Sequence, residues 1–341
     1  MTERRTRLTA WTALAALPAL LLVGCAGGET ESEGGGGEEE IELTLAHSYN
    51  EDQPQHRCGA QVIADEVAAA DAGMTVEIFP SSQLGGDADR ISSVESGDID
   101  IDIQGASALG AVYEPISVLD AAYVFEDADH LAAFMASEES QTVTDGFAEA
   151  AGIQTLGAWS AGARQFTANA PIAEPADLEG LRIRFPGSPQ FLMNAEALGA
   201  SATEVAYEEL YLALQQGTVD GQENPITNIQ AQNLAEVQDY LSMTNHQLNT
   251  NLVIAGPVWD ELSEEQQSVL NAAVETAVSE VTECVAADEE ETLAEWKAAG
   301  DWEIIEDVDT EAFKTEALEY LEGEYSGDSL AVFESIRATA D

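Results

Sequence analysis

Two arginines stand two residues apart in the stretch GLRIRFPGS, residues 180–188. A guanidinium presents a planar fork of N–H donors that grips a carboxylate through two parallel hydrogen bonds, which the point charge of a lysine cannot do. Side chains two apart on a strand share one face, so Arg182 and Arg184 point the same way if LRIRFP is a strand. The chain has only 11 Lys and Arg against 65 Asp and Glu, a formal net charge of −54. Three of its arginines fall between positions 164 and 184. Against that background the cluster needs a local cause, either a bound anion or an internal acid.

The elements that position these residues follow from composition and pattern. At 341 residues the chain exceeds one ordinary core, and 45% hydrophobic content is enough to fill two. So acidic a surface excludes nucleic acid as a general partner, because phosphate binding requires Lys and Arg to release counterions. It reads as a solvated exterior suited to a saline medium, and it repels anions at long range, so any anion site depends on local, oriented charge.

Residues 1–24 read as a secretory leader outside the fold: Arg4, Arg5 and Arg7, then the apolar run LTAWTALAALPALLLVG, then Cys25. Leu22-Val23-Gly24-Cys25 resembles a bacterial lipobox, which makes Cys25 the expected lipidation site and first residue of the mature chain. Residues 25–40, rich in Gly and Glu, cannot bury surface and read as a flexible tether. No later segment has the roughly 20 apolar residues of a membrane span. Cys58 and Cys284, both on apparent helices, either form a disulfide permitted by export or sit as buried thiols.

From Ile41 the order is strand (IELTLAHSYN), helix (residues 55–73), strand (MTVEIFP), helix to Gly97 and strand (DIDIDIQ), the grammar of a parallel α/β layer. A helix over 128–147, strands IQTLGAW and LRIRFP, two further helices and an acidic helical stretch from 263 to 300 follow. Two α/β units with no catalytic motif suggest two lobes closing on a small molecule.

The run GARQFTANAPIAEPADLEGLRIRFPGSPQFLMNAEALGASATEVAYEELYLALQQGTVDGQENPITNI resembles the solute-binding subunit of TRAP transporters, the DctP-type family. FPSSQLGGD at 79–87 and MTNHQLN at 243–249 are similar to further parts of it. VDGQENP is the most specific piece, and the likeness runs from about Ile41 to the C-terminus. It implies an α/β, two-lobed periplasmic-binding-protein-like fold with a cleft between the lobes and a long C-terminal helix spanning both. Lobe I would be 41–161 with about 250–289, and lobe II 162–249 with about 290–341. It also implies capture of a small organic-acid anion outside the cell and delivery to a membrane permease driven by an ion gradient, with no cofactor.

The resemblance assigns the ligand carboxylate to Arg184, the residue before the FP pair, with Arg164 as a second arginine and Asn224 as a neutral partner. Without it, Arg184 bonding an internal acid and Asn224 forming an Asx turn are equally open. Arg182 reads as a surface charge, and Glu223 as a structural acceptor. Tyr207 falls where the family places an aromatic wall; Trp159 is a second wall candidate, and His246 a ligand donor or hinge residue. On the first lobe, residues after strand ends are the natural cleft positions: His47, Ser48 and Asn50, then Gln104 and Ser107.

Other signals carry less. Asp98, Asp100 and Asp102 alternate as in a calcium loop, but Ile103 and Leu109 stand where Gly and Glu are required; a strand with a solvated acidic face is expected. The four His and three Cys have no zinc spacing, so no metal is expected. No nucleophile–base motif supports a secreted hydrolase. A sensor lipoprotein of the same fold without a permease remains the alternative to a transport subunit.

Overall fold

The computed structural model describes residues 40–300 and 302–340. The leader, Cys25 and the tether up to residue 39 lie outside the described residues. Nine strands form one mixed sheet: β1 (Ile41–His47), β2 (Met74–Phe79), β3 (Ile101–Gly105), β4 (Gln154–Ala168), β5 (Arg182–Phe185), β6 (Ser201–Glu204), β7 (Gly221–Pro225), β8 (Tyr240–Ala255) and β9 (Glu303–Ile305). Their order is β2-β1-β3-β8-β4-β7-β5-β6, with β9 beside β8.

The sheet has two halves sharing two long strands. β1 pairs in parallel with β2 and β3, as the βαβαβ pattern requires. β3 then meets the end of β8 antiparallel, from Asn251 to Ala255. On the other side β5 pairs in parallel with β6 and β7, and β7 meets the end of β4 antiparallel, from Arg164 to Ala168. β4 and β8 run through both halves, and their register slips between Ser160 and Ala163. Gly162 lies in that slip at φ 97°, where a side chain is strained and a Cβ would run into the Glu289 carboxyl. Asn245, in the next slip between Arg164 and Phe166, has φ 44° and is held by two bonds with the Gln165 side chain, of 2.6 and 2.9 Å.

The helix Glu264–Ala299 joins the halves. Ser263 and Gln266 cap its start reciprocally, and Gly300 ends it in the left-handed conformation. Leu270, Val274, Ala277, Val281 and Val285, spaced three and four apart, enter the core around Leu43, Ile63 and Trp159. Further along, Leu293 and Trp296 pack with Leu210, Leu241 and Trp302. Cys58 and Cys284 form a disulfide, Cα atoms 6.6 Å apart, tying the turn at 55–60 to this helix.

Four expectations are corrected. IQTLGAW does not end before a loop: β4 continues for 15 residues to Ala168. The helix at 128–147 is two, Ala128–Met135 and Glu138–Ala151, parted where the Ser137 hydroxyl accepts from Ser140 N–H. The acidic strand face is not solvated throughout: Asp98 is exposed, but Asp100 accepts from Thr44 N–H and hydroxyl, and Asp102 is fully buried against Arg90. The end of the chain does not all lie with 162–249, for the helix Gly327–Ala338 packs on the 114–120 turn and on Glu138–Ala151. His130 Nε2 bonds the Ile336 carbonyl there at 2.9 Å.

Candidate functional site

A cavity of about 650 Å³ opens between the two halves. Arg184 reaches it from β5, its side chain almost wholly buried. Nε donates to the Val205 carbonyl at 2.8 Å, while Nη1 has no hydrogen-bond partner among the described residues. Burial pushes its pKa down to about 10; Glu223 opposes this and Arg164 adds to it. A buried cation with an unused donor is costly unless something supplies the missing acceptor.

Arg164, on β4, is fully engaged. Its Nε and Nη2 both bond the Glu223 carboxylate, Nη2 at 2.7 Å. Nη2 also donates to the Glu223 carbonyl at 2.8 Å and to Asn224 Oδ1 at 3.2 Å, and Nη1 donates to Asn249 Oδ1 at 2.7 Å. The guanidinium lies 4.7 Å over the Phe191 ring. Burial alone would raise the Glu223 carboxyl, but Arg164 and His246 hold it below its ordinary value. His246 Nε2 stands 3.4 Å from Glu223, Nδ1 is 2.8 Å from the Thr244 hydroxyl, and the ring stacks on Phe166 at 4.4 Å. Burial lowers the His246 pKa while Glu223 pulls it the other way, and since a carboxylate only accepts, it is Nε2 that donates to Glu223.

Arg164, Arg184, Asn224 and Tyr207 meet in the cavity wall, with Gln104 in the lining of the other half. Asn224 Nδ2 donates to Gln222 Oε1 at 2.5 Å, which turns its carbonyl toward Arg164 and Asn228. Tyr207 Oη is buried with no hydrogen bond of ordinary geometry among the described residues; burial pushes its pKa up to about 12, and the Gln232 side chain opposes this. Arg182, as read from the sequence, is exposed and pairs with Asp220 at 2.6 Å.

Five expected contacts do not line the cavity. Trp159 is in the core, within 3.2 Å of where a Cβ on Gly59 would stand. His246 sits behind the wall and acts on Glu223. His47 is fully buried, accepting from Tyr49 N–H at 3.1 Å and bonding His56 at 3.1 Å; burial lowers its pKa to about 3. Asn50 faces solvent and bonds Ser81. Ser107 gives its N–H and hydroxyl to Asp120 at 2.7 and 2.8 Å.

Sequence reasoning missed Tyr49, Asp87, Asn249 and Asn251, all in the lining. Asn249 and Asn251 stand two apart on β8, so they share a face. No strand was expected there, although NTN at 249–251 sets two asparagines two apart. Asp87 is set by Arg90, which bonds it at 3.1 Å while also holding Asp102.

The model of bacterial extracellular solute-binding protein family 7, DctP, matches residues 45–328. The chain is 37% identical over 107 residues to the sialic acid-binding periplasmic protein SiaP of Vibrio cholerae; that stretch is 31% of this chain and spans about a third of the relative, 33%. A solved TRAP periplasmic solute binding protein from Roseobacter denitrificans with bound L-galactonate superposes at a TM-score of 0.81 with 30% identity, over 87% of this chain and 99% of that one. Another, from Polaromonas sp. JS666 bound to D-erythronate, gives 0.82 and 30% over 88% and 99%. A match across most of the described sheet and helices, on a fold of the same two-lobed kind, places the chain in family 7 of the bacterial extracellular solute-binding proteins, the DctP family.

Proposed function

We propose that this chain is the extracytoplasmic receptor of a TRAP-type secondary transporter, capturing a small organic-acid anion and handing it to the membrane permease. The observation that carries the reading is Arg184: a guanidinium almost wholly buried in a cavity wall, in no ion pair among the described residues, with Nη1 unused. A ligand carboxylate supplies the missing acceptor, and Tyr207 Oη offers a second donor. Arg164 contributes as a positioning residue: it is committed to Glu223 and fixes Asn224 and Asn249. Relatives of the same fold with bound L-galactonate and D-erythronate support an acid ligand.

The ligand docks on the β5–β7 wall, and the half carrying β1–β3 closes over it. Polar contacts already join the halves in the present state, among them Gln53 Nε2 to Asn228 Oδ1 at 3.0 Å and Ser82 Oγ to Glu208 Oε1 at 2.7 Å. Closure excludes water, so the Arg184–carboxylate attraction strengthens as the local dielectric falls. Lobe I is 41–161 with about 250–289, and lobe II 162–249 with the following segment up to the last helix. Cys25 carries a lipid anchor, and the tether lets the body reach the permease.

Titration calorimetry with a panel of organic acids tests this. Arg184→Ala is expected to weaken binding by about 100-fold or more, with the ligand-free protein still melting cooperatively. Unchanged affinity overturns the assignment.

A further inference from the structure

We infer that the cavity selects a hydroxylated monocarboxylate, an acid of the aldonate type, and that Asp87 excludes acids carrying a second carboxylate. The inference rests on the organic-acid reading above and adds to it the chemistry of the rest of the ligand.

The charge inventory of the cavity is lopsided. Its lining has two guanidinium groups, Arg164 and Arg184, and the carboxylates of Asp87, Glu95, Asp120, Glu204 and Glu209. Arg164 is neutralised by Glu223 and has bonds on all three nitrogens. Arg184 alone is left to receive a ligand anion. Asp120 is turned inward, its oxygens taken by Ser107 and by Thr250 N–H at 2.8 Å. Asp87 differs: its side chain is half exposed, Ser48 and Arg90 hold Oδ1, and Oδ2 has no partner among the described residues. It opens the helix Asp87–Ser96 on the half opposite Arg184, and both residues line the cavity.

A ligand carboxylate on Arg184 therefore leaves its far end among groups that suit alcohols. Arginine only donates, so Asn249 must turn Oδ1 toward Arg164. Asn251 Oδ1 accepts from Tyr49 Oη at 2.8 Å. Both amides thus have Nδ2 without an acceptor among the described residues, on one face of β8. A hydroxyl accepts from such an N–H and donates to the free Asp87 oxygen. A second carboxylate meets no uncommitted cation there, since Arg90 is shared between Asp87 and Asp102, and it faces the open Asp87 oxygen; a buried unpaired charge is strongly disfavoured. An unsubstituted alkyl chain leaves the two Nδ2 groups and Asp87 Oδ2 without partners on closure.

The test is calorimetry on the intact protein with matched acids: D-erythronate, meso-tartrate and butanoate, then L-galactonate, galactarate and hexanoate. Within each set the first two differ only by a terminal CH2OH replaced with a carboxylate, and the third lacks the hydroxyls. At least one aldonate is expected to bind 30-fold or more tightly than its diacid and its alkanoate. Asp87→Asn is expected to shrink the aldonate-to-diacid ratio at least tenfold. A diacid or alkanoate that binds as tightly as the aldonate overturns the inference, as does a ratio unchanged in Asp87→Asn, while Arg184-dependent binding of any of these acids leaves the organic-acid reading standing. If no acid binds, or binding survives Arg184→Ala, both fall.

Discussion

The two walls of the cavity are built by opposite means. The wall from β4, β5 and β7 is charged and internally braced: Glu223 holds Arg164, Arg164 holds Asn224 and Asn249, and Arg184 commits only Nε, to the Val205 carbonyl, among the described residues. The wall from β1, β3, the helix Asp87–Ser96 and the end of β8 sets amides and hydroxyls, Gln104, Asn251, Ser48 and Tyr49, among apolar side chains such as Ile91, Ile103 and Val112, with Asp87 bonded to Arg90 and one of its oxygens open. The difference separates two tasks. A carboxylate needs one strong, pre-oriented cation, which a rigid sheet can fix. The remainder of a ligand needs matched donors and acceptors, which short polar side chains at strand ends supply.

Removing Glu223 attacks the braced wall most severely. Glu223→Ala leaves Arg164 buried without its acid and is expected to lower stability by about 3–5 kcal/mol in urea unfolding. A loss under about 1 kcal/mol would mean that the two walls are equally tolerant. Glu289, where the spanning helix meets the slip at Gly162, probes the joint between them. Burial pushes its pKa from 4.5 up to about 7, against one backbone bond from Ile226. The folded state therefore holds this proton more tightly than the unfolded chain, and stability is lost as pH rises from 4.5 to about 7. Glu289→Gln is expected to stabilise the protein by on the order of 1–3 kcal/mol at pH 8 and to change nothing at pH 4, read from thermal melts at both. An equal effect at the two pH values would remove Glu289 as a titrating group. The mildest change is on the amide wall. Asn251→Ala is expected to weaken the acid that titrates with Arg184 by roughly fivefold to tenfold, one neutral hydrogen bond, and an effect matching that of Arg184→Ala would erase the contrast between the walls.

Legibility followed the same division. Arg184 could be singled out because arginine is scarce here and because LRIRFP and VDGQENP carry a family pattern. The parallel β1–β3 layer was readable because each strand and helix is local and periodic. Asn249 and Asn251 were not, because β8 is buried on both faces over much of its length and lacks the alternation that marks a strand. Asp102 looked solvated because its alternation with Asp98 and Asp100 says nothing of Arg90, twelve residues away and on a helix. Trp159 and His47 were placed in the cleft by nearness to strand ends, yet packing turned both inward.

By itself the sequence determined the polypeptide's local grammar: alternating strands and helices, an excess of acidic side chains, and a guanidinium where a carboxylate is expected. Those features depend on residue type and short-range spacing. Tertiary structure decided which arginine keeps a free nitrogen, since Arg164 and Arg184 are alike in sequence and differ only in that Glu223, 59 residues from Arg164, is folded against one and not the other. Ion pairing in a buried wall is a matter of ångströms between distant segments, and no local pattern encodes that distance.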